Sequence, residues 1–359
     1  MKYNLKNNEG FNLIKGSNTL DAYDILNKLK PYVDRLIDKC DEMYLTLEAI
    51  DDCKFTFEIQ ADTANYALGV KSVSYSIDDG ATWVTTNRTP GSATTITTPS
   101  VAANTKVLWK GDCPNGRYSS SNSTGPSSYF ESTGRFSVSG DITSLIYNGK
   151  LTEIATPIVC RTLFIDCDNL ISAKNLMLPA TILVDYCYQS MFNGCTSLTD
   201  APVLPATTLA EGCYDNMFNG CTSLTTAPEL PATTLAFNCY HLMFGACTSL
   251  TTAPELPATT LTENCYFSMF AGCTSLTTAP ELPATTLITG CYETMFNGCS
   301  NLSYVKAMFT TDPSNTLYTN AWLSNVSQTG TFVKNSAATW TLTGISGIPV
   351  GWTVQTSNA

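Results

Sequence analysis

The stretch Cys213-Tyr214-Asp215-Asn216-Met217-Phe218-Asn219-Gly220-Cys221-Thr222-Ser223-Leu224, followed by Ala227-Pro228 and Leu230-Pro231-Ala232-Thr233-Thr234-Leu235, decides the reading of this chain because it recurs. Its first cysteine has counterparts at Cys187, Cys239, Cys265 and Cys291, and its second at Cys195, Cys247, Cys273 and Cys299, each step being 26 residues. Between them stand Met191-Phe192, Met243-Phe244, Met269-Phe270 and Met295-Phe296, and a worn first copy shows at Phe164, Cys167, Leu170 and Leu178-Pro179. A period of this length marks stacked repeats: no single unit can bury its Cys-Met-Phe-Leu face, and neighbours together make one continuous core.

Within a unit, Cys213, Met217 and Cys221 stand four apart, which predicts one face of two helical turns. Leu224 to Leu230 contains Pro228 and reads as extended backbone, and Ala232 to Leu235 is a second extended piece with β-branched residues. Each unit is therefore expected to run strand, extended turn, short helix.

The pattern Met-Phe-x-Gly-Cys-Thr-Ser-Leu at Met217 to Leu224 resembles the BspA-like leucine-rich repeats of surface proteins from gut and oral anaerobic bacteria, treponemes and related phages. The resemblance covers residues 150–359, and Gly330 to Asn335 with Ile348 to Trp352 resembles the closing segment of such proteins. It implies a leucine-rich-repeat solenoid engaged in adhesion or protein contact, with no catalysis.

Fifteen cysteines in a repeat register call for their own reading. Thiols eight apart on one helix are too far for a bond, stacked equivalents point in parallel, and no Cys-x-x-Cys occurs. Buried small hydrophobes in columns are expected, with no metal and no cofactor. The Thr-Thr pairs at Thr207-Thr208, Thr233-Thr234, Thr259-Thr260 and Thr285-Thr286 would form a flat ladder; such arrays can bind ice, but hydrogen-bonded threonine ladders are ordinary stacking structure.

Variation among copies concentrates around the first cysteine, at Asp185, Gln189, Glu211, Asp215, Phe237, His241, Glu263, Phe267 and Glu293. Aromatic residues at positions that face water mark a contact surface; the other reading is drift, with the rings partly tucked. His241 is the single histidine of the chain, so it has no second histidine with which to build a zinc site.

From Lys54 to about Tyr147 the pattern alternates with period two, and turn clusters separate Phe55/Phe57/Ile59, Val73/Tyr75/Ile77, Val107-Leu108-Trp109 and Phe136-Ser137-Val138. This predicts a β-sandwich of immunoglobulin type. Ser76-Ile77-Asp78-Asp79-Gly80-Ala81-Thr82-Trp83 matches the Asp-box of sialidases, a hairpin device rather than a catalytic one. With five arginines, one Asp-box and no nucleophile constellation, the chain is not expected to be an enzyme. Residues 19–50 read as helix, with Leu26, Leu29, Val33, Leu36, Cys40, Met43, Leu47 and Ile50 spaced as a coiled-coil seam. Pro31 starts a second helix at its first turn. The seam predicts a trimer, or else a single amphipathic helix packed on the β-domain.

The expected organisation is thus mixed α/β: a helical anchoring and oligomerisation segment (1–52), a β-sandwich (53–148), the repeat solenoid (149–303) and a cap (304–359). The net charge is −11, and the span between Lys174 and Lys306 holds no lysine or arginine, which excludes nucleic acid as a partner. No run of 18 apolar residues occurs, so no membrane insertion is expected. The polar start at Met1 shows no leader core. Together with the seam and the free thiols, this favours a phage virion fibre or decoration subunit made in the host cytoplasm. It would bind other virion proteins through its N-terminus and a host-surface or mucosal glycan or protein through its repeats. The alternative is an adhesin of the bacterial cell surface.

Overall fold

The structure is a computed structural model that describes residues 44–62, 68–119, 125, 127–147, 159–314 and 316–357. All lie in one compact unit, Asp41–Ala359. The seam residues Leu26, Leu29, Val33, Leu36, Cys40 and Met43 fall outside the described residues.

The mixed α/β expectation is overturned. Among the described residues the only helices are α1 (Ser144–Tyr147) and α2 (Thr316–Thr319), four residues each; the remainder is strand, bridge, turn, bend or irregular backbone. The end of the proposed seam is itself a strand: β1 (Leu45–Ala49) contains fully buried Leu47, which lies opposite Val107 and Val138, and Ile50 follows it at the surface. Leu45-Thr46-Leu47-Glu48-Ala49 fits period two as well as a heptad, and pairing on both edges decides between them.

Seven further strands build the β-domain: β2 (Phe55–Ile59), β3 (Ser72–Ser76), β4 (Val84–Asn87), β5 (Thr94–Thr97), β6 (Lys106–Asp112), β7 (Tyr129–Ser132) and β8 (Phe136–Asp141). With β9 (Leu170–Met177) they form two sheets, β4-β3-β6-β1-β8-β9 and β5-β2-β7. Phe57 stacks on Phe130 at 4.1 Å in the smaller sheet, and both meet Trp109 of the larger edge-on, at 6.1 and 5.1 Å. The order is not an immunoglobulin one. There the first two strands share a sheet; here β1 sits centrally between β6 and β8 while β2 lies in the other sheet.

β9 carries the fold into the repeats. It pairs parallel to β8 on one edge, and beyond it Ser172 bridges Asp200. From there to Cys299 the chain winds in 26-residue coils that contain neither the expected helix nor a continuous strand, so the strand-and-helix unit of a leucine-rich-repeat solenoid is not what is formed. In the coil Gly212 to Cys221, the amides of Tyr214, Asn216, Phe218 and Gly220 donate to the carbonyls of Cys239, His241, Met243 and Gly245 in the next coil. The amides between them, those of Cys213, Asp215, Met217, Asn219 and Cys221, donate three residues back within their own coil. The backbone is thus a run of four-residue turns, each reset by a residue of positive φ: Gly212 (56°), Asn216 (57°) and Gly220 (77°). The same positions recur as Asn238, Leu242 and Ala246, as Asn264, Ser268 and Gly272, and as Gly290, Thr294 and Gly298. A period of four sends Cys213, Met217 and Cys221 to one face just as a helix would, which is why spacing alone suggests one.

The proline-bearing half of each coil touches its neighbours through isolated bridges such as Thr226 to Thr252 and Ile182 to Thr208 to Thr234. Pro228 and Pro231 have no N–H to extend these into strands. At the far end the bridging becomes a parallel sheet of β10 (Tyr304–Ala307), β11 (Thr331–Asn335) and β12 (Thr353–Ser357), closed by Trp322, Trp340 and Trp352.

Inside, each buried residue stacks on its own counterpart. Phe164, Phe192, Phe218, Phe244, Phe270 and Phe296 form a column at 5.4–5.6 Å, and Phe130 of the β-domain joins it at 5.6 Å. Tyr188, Tyr214, Tyr240, Tyr266 and Tyr292 form a second at 5.8–6.1 Å. The second cysteine of each coil donates its S–H to the carbonyl of the phenylalanine one coil back, as Cys195 does to Phe164 (2.9 Å) and Cys221 to Phe192 (3.1 Å).

Ala246 holds a left-handed φ of 54° where the neighbouring coils have Gly220 and Gly272. A non-glycine residue there costs about 1–2 kcal/mol, against about 0.5–1 kcal/mol of added chain entropy for glycine. Ala246→Gly is therefore expected to stabilise the protein by up to about 1 kcal/mol, and Gly272→Val to destabilise it by about 2 kcal/mol, in chemical denaturation. A destabilising Ala246→Gly would contradict this account of the turns.

Candidate contact surface

The nine residues expected to meet a ligand fall into two neighbouring columns. Asp185, Glu211, Phe237 and Glu263 each precede the first left-handed residue of a coil (Tyr186, Gly212, Asn238, Asn264). Gln189, Asp215, His241, Phe267 and Glu293 each precede the second (Ser190, Asn216, Leu242, Ser268, Thr294). Both sets thus occupy the corners of four-residue turns.

The second column is bonded along its own axis. Gln189 Nε2 donates to Asp215 Oδ2 (2.6 Å), and Asp215 Oδ1 meets His241 Nδ1 at 2.7 Å. Asn216 Nδ2 donates to the same oxygen (2.5 Å), so one nearly buried carboxylate gathers three neighbours. The His241 ring leans on Phe267 at 5.2 Å, and Glu293 Oε1 accepts from Asn320 Nδ2 (3.0 Å). These side chains are half-buried or buried, and their polar atoms are largely taken up by one another.

The first column faces outward. Asp185 Oδ1 accepts from the Glu211 amide (3.1 Å), and the Tyr186 hydroxyl donates to the Glu211 carboxylate. Burial and that carboxylate push the Tyr186 hydroxyl up to about 12. Phe237 is 39% exposed, Glu263 is exposed, and the apolar Val184 and Ile288 flank the same edge. Free contact area therefore belongs to Asp185, Phe237 and Glu263, over a firm lower row of Gln189, Asp215, His241 and Phe267. Tyr186 belongs to the variable stretch before the first cysteine, whereas Asn216 and Asn320 take part without being singled out by the variation among copies. Asn216 sits at a left-handed position that alignment of the copies could flag, whereas Asn320 belongs to the cap and is out of the 26-residue register.

The thiols of the described residues lie in the interior, away from this surface. The described cysteines are all buried and unpaired, and no cluster of three or more histidine, cysteine or carboxylate groups able to hold a metal occurs among the described residues. Burial pushes the Cys187, Cys247 and Cys299 thiols up to about 12. A thiol held protonated and out of reach of solvent is no nucleophile. The Asp-box hairpin is likewise closed on itself. Asp78 accepts from Ser76 Oγ (2.7 Å), Thr82 N (2.8 Å) and Thr82 Oγ1 (2.5 Å), bonds that bring its carboxyl down to about 2. The Trp83 ring lies under Lys110 Nζ at 3.9 Å.

Comparison of the chain with protein-family models, with curated proteins and with solved structures gives no match.

Two expectations follow from this geometry. Asp215→Ala strands the Gln189 amide and is expected to cost about 1–3 kcal/mol in urea unfolding, more than His241→Ala, which leaves Asp215 with Gln189 and Asn216. The thiols bind protons more tightly folded than unfolded, where they titrate near about 8.5. Stability is therefore expected to hold below that pH and to fall as pH rises from about 9 towards 12. Unfolding followed by fluorescence across this range checks the sign, and a rise in stability would refute it.

Proposed function

We propose that this chain is a non-enzymatic adhesion protein, a fibre or decoration subunit of a phage virion, whose coil stack binds a host-surface or mucosal ligand. The observation that carries the reading is the contrast between interior and corner. At every rung the interior repeats cysteine, tyrosine, methionine and phenylalanine, while Asp185, Glu211, Phe237 and Glu263 change identity on one outward column. A stack that needs only spacing at those corners is free to use them for contact, and an exposed phenylalanine among carboxylates is a contact anchor of the usual kind. The resemblance to BspA-like surface repeats supports adhesion. The buried unpaired thiols suit a protein that folds in a reducing cytoplasm before it is displayed. In this reading the residues before β1 hold the subunit to other virion proteins and to two further copies of itself.

Binding of the labelled full chain to mucin-coated surfaces and to anaerobe cells tests the proposal. Wild type is expected to bind one of the two, and Phe237→Asp to weaken that binding at least about tenfold, the loss of one anchor. Immunogold labelling of purified virions checks the location. Absence of wild-type binding to both surfaces would sink the adhesion reading.

A further inference from the structure

A second face of the coil stack carries a groove that the corner columns do not touch. It has a volume of about 520 Å³ and lies between two neighbouring coils. Thr251 to Pro257 form one wall; Thr278 to Glu281, with Pro283, form the other. Four of the lining residues are prolines, Pro254, Pro257, Pro280 and Pro283, and each contributes a carbonyl but no N–H. Their rings contribute apolar surface, the hydroxyls of Thr251, Thr252 and Thr278 can accept as well as donate, and the carboxylates of Glu255 and Glu281 add only acceptors. Such a lining suits a side chain that has an apolar stem and a head made only of donors, which describes lysine and arginine.

The chain displays this recognition once itself. Glu229, Glu255 and Glu281 stand on successive coils, and the next rung is Lys306 of β10, whose Nζ meets Glu281 Oε2 at 2.9 Å. Among the described residues no cation stands against Glu255 or Glu229, and the span between Lys174 and Lys306 supplies none. The Lys306 contact thus ends a ladder whose earlier rungs keep the same carboxylate without the ammonium.

We propose that this groove docks an extended polypeptide segment bearing lysine or arginine, with its cationic head on Glu255 and its stem along Pro257 and Pro280. The inference rests on the adhesion reading and names the class of partner: a basic protein segment rather than an acidic glycan, which the carboxylates would repel.

The test uses the full chain and a fluorescein-labelled peptide of alternating lysine and threonine, beside its glutamine and glutamate counterparts, read by anisotropy. The lysine peptide alone is expected to bind, and to weaken at least about tenfold between low and high salt. Glu255→Gln with Glu281→Gln is expected to reduce affinity at least about tenfold, whereas Glu58→Gln with Glu131→Gln, an equal charge change on the β-domain, is expected to leave it within about twofold. Lys306→Gln frees Glu281 and is expected to strengthen binding. Thiol protection in the native state verifies that each variant is folded. Equal binding of the lysine and glutamine peptides, no binding at all, or indifference to the groove variant would overturn the proposal. Adhesion to cells or mucin that survives Glu255→Gln with Glu281→Gln would remove the groove from adhesion while leaving the adhesion reading in place.

Discussion

In the run of turns that carries the two cysteines of each coil between Cys187 and Cys299, every second amide is committed to the coil that follows, and the rest of the stack is organised by that constraint. Alternate donation requires the intervening amides to close short turns within the coil, and short turns of this kind require a left-handed residue every fourth position. Two residues of each turn then point inward as a pair, Cys213 with Tyr214 and Met217 with Phe218, while the others face the corner. Since the coils repeat without offset, each inward ring finds an identical ring above and below it, at spacings suited to parallel stacking. Hydrogen bonding and burial therefore enforce the same register.

Much of this is legible in the sequence, and the part that is not has a definite cause. The period of 26, the inward set Cys213, Met217, Phe218, Cys221 and Leu224, and the strands around Phe57, Val73, Trp109 and Val138 can be read from spacing and alternation. The backbone of the coil cannot be read from the inward set alone, because a four-residue period serves a helix and a chain of turns alike. The discriminating residues are the outward ones: Gly212, Asn216 and Gly220 are poor helix formers and good left-handed ones. Leu47 illustrates the same ambiguity in the other direction: it falls on the heptad spacing, yet it also alternates with Leu45 and Ala49 as one face of a strand. Sheet order is beyond reach, since the placement of β1 between β6 and β8 depends on pairings remote in sequence.

The candidate surface is legible as a set of variable positions, and less so as a geometry. Variation marks the corners, but whether a corner residue is available depends on its neighbour one coil away. Asp215 reads as a contact residue and is instead held by Gln189, Asn216 and His241. Phe237, with no polar partner to hold it down, keeps its exposure. The thiols, conspicuous in composition, serve the interior, where a cysteine combines the volume of a small hydrophobe with one weak donor for the carbonyl of the coil behind it.

Near-identity of the coils has a consequence for how such a chain finds its alignment. A slip of one whole coil would set phenylalanine on phenylalanine and tyrosine on tyrosine again, so the stacked interior discriminates poorly between neighbouring alignments. Discrimination falls to the two unlike ends: the edge where β9 joins β8 and Phe130 meets Phe164, and the tryptophan-rich closing segment around Trp322 and Trp340. The β-domain thereby acts as the origin from which the coils are counted, and the number of coils can change by whole units without disturbing either end.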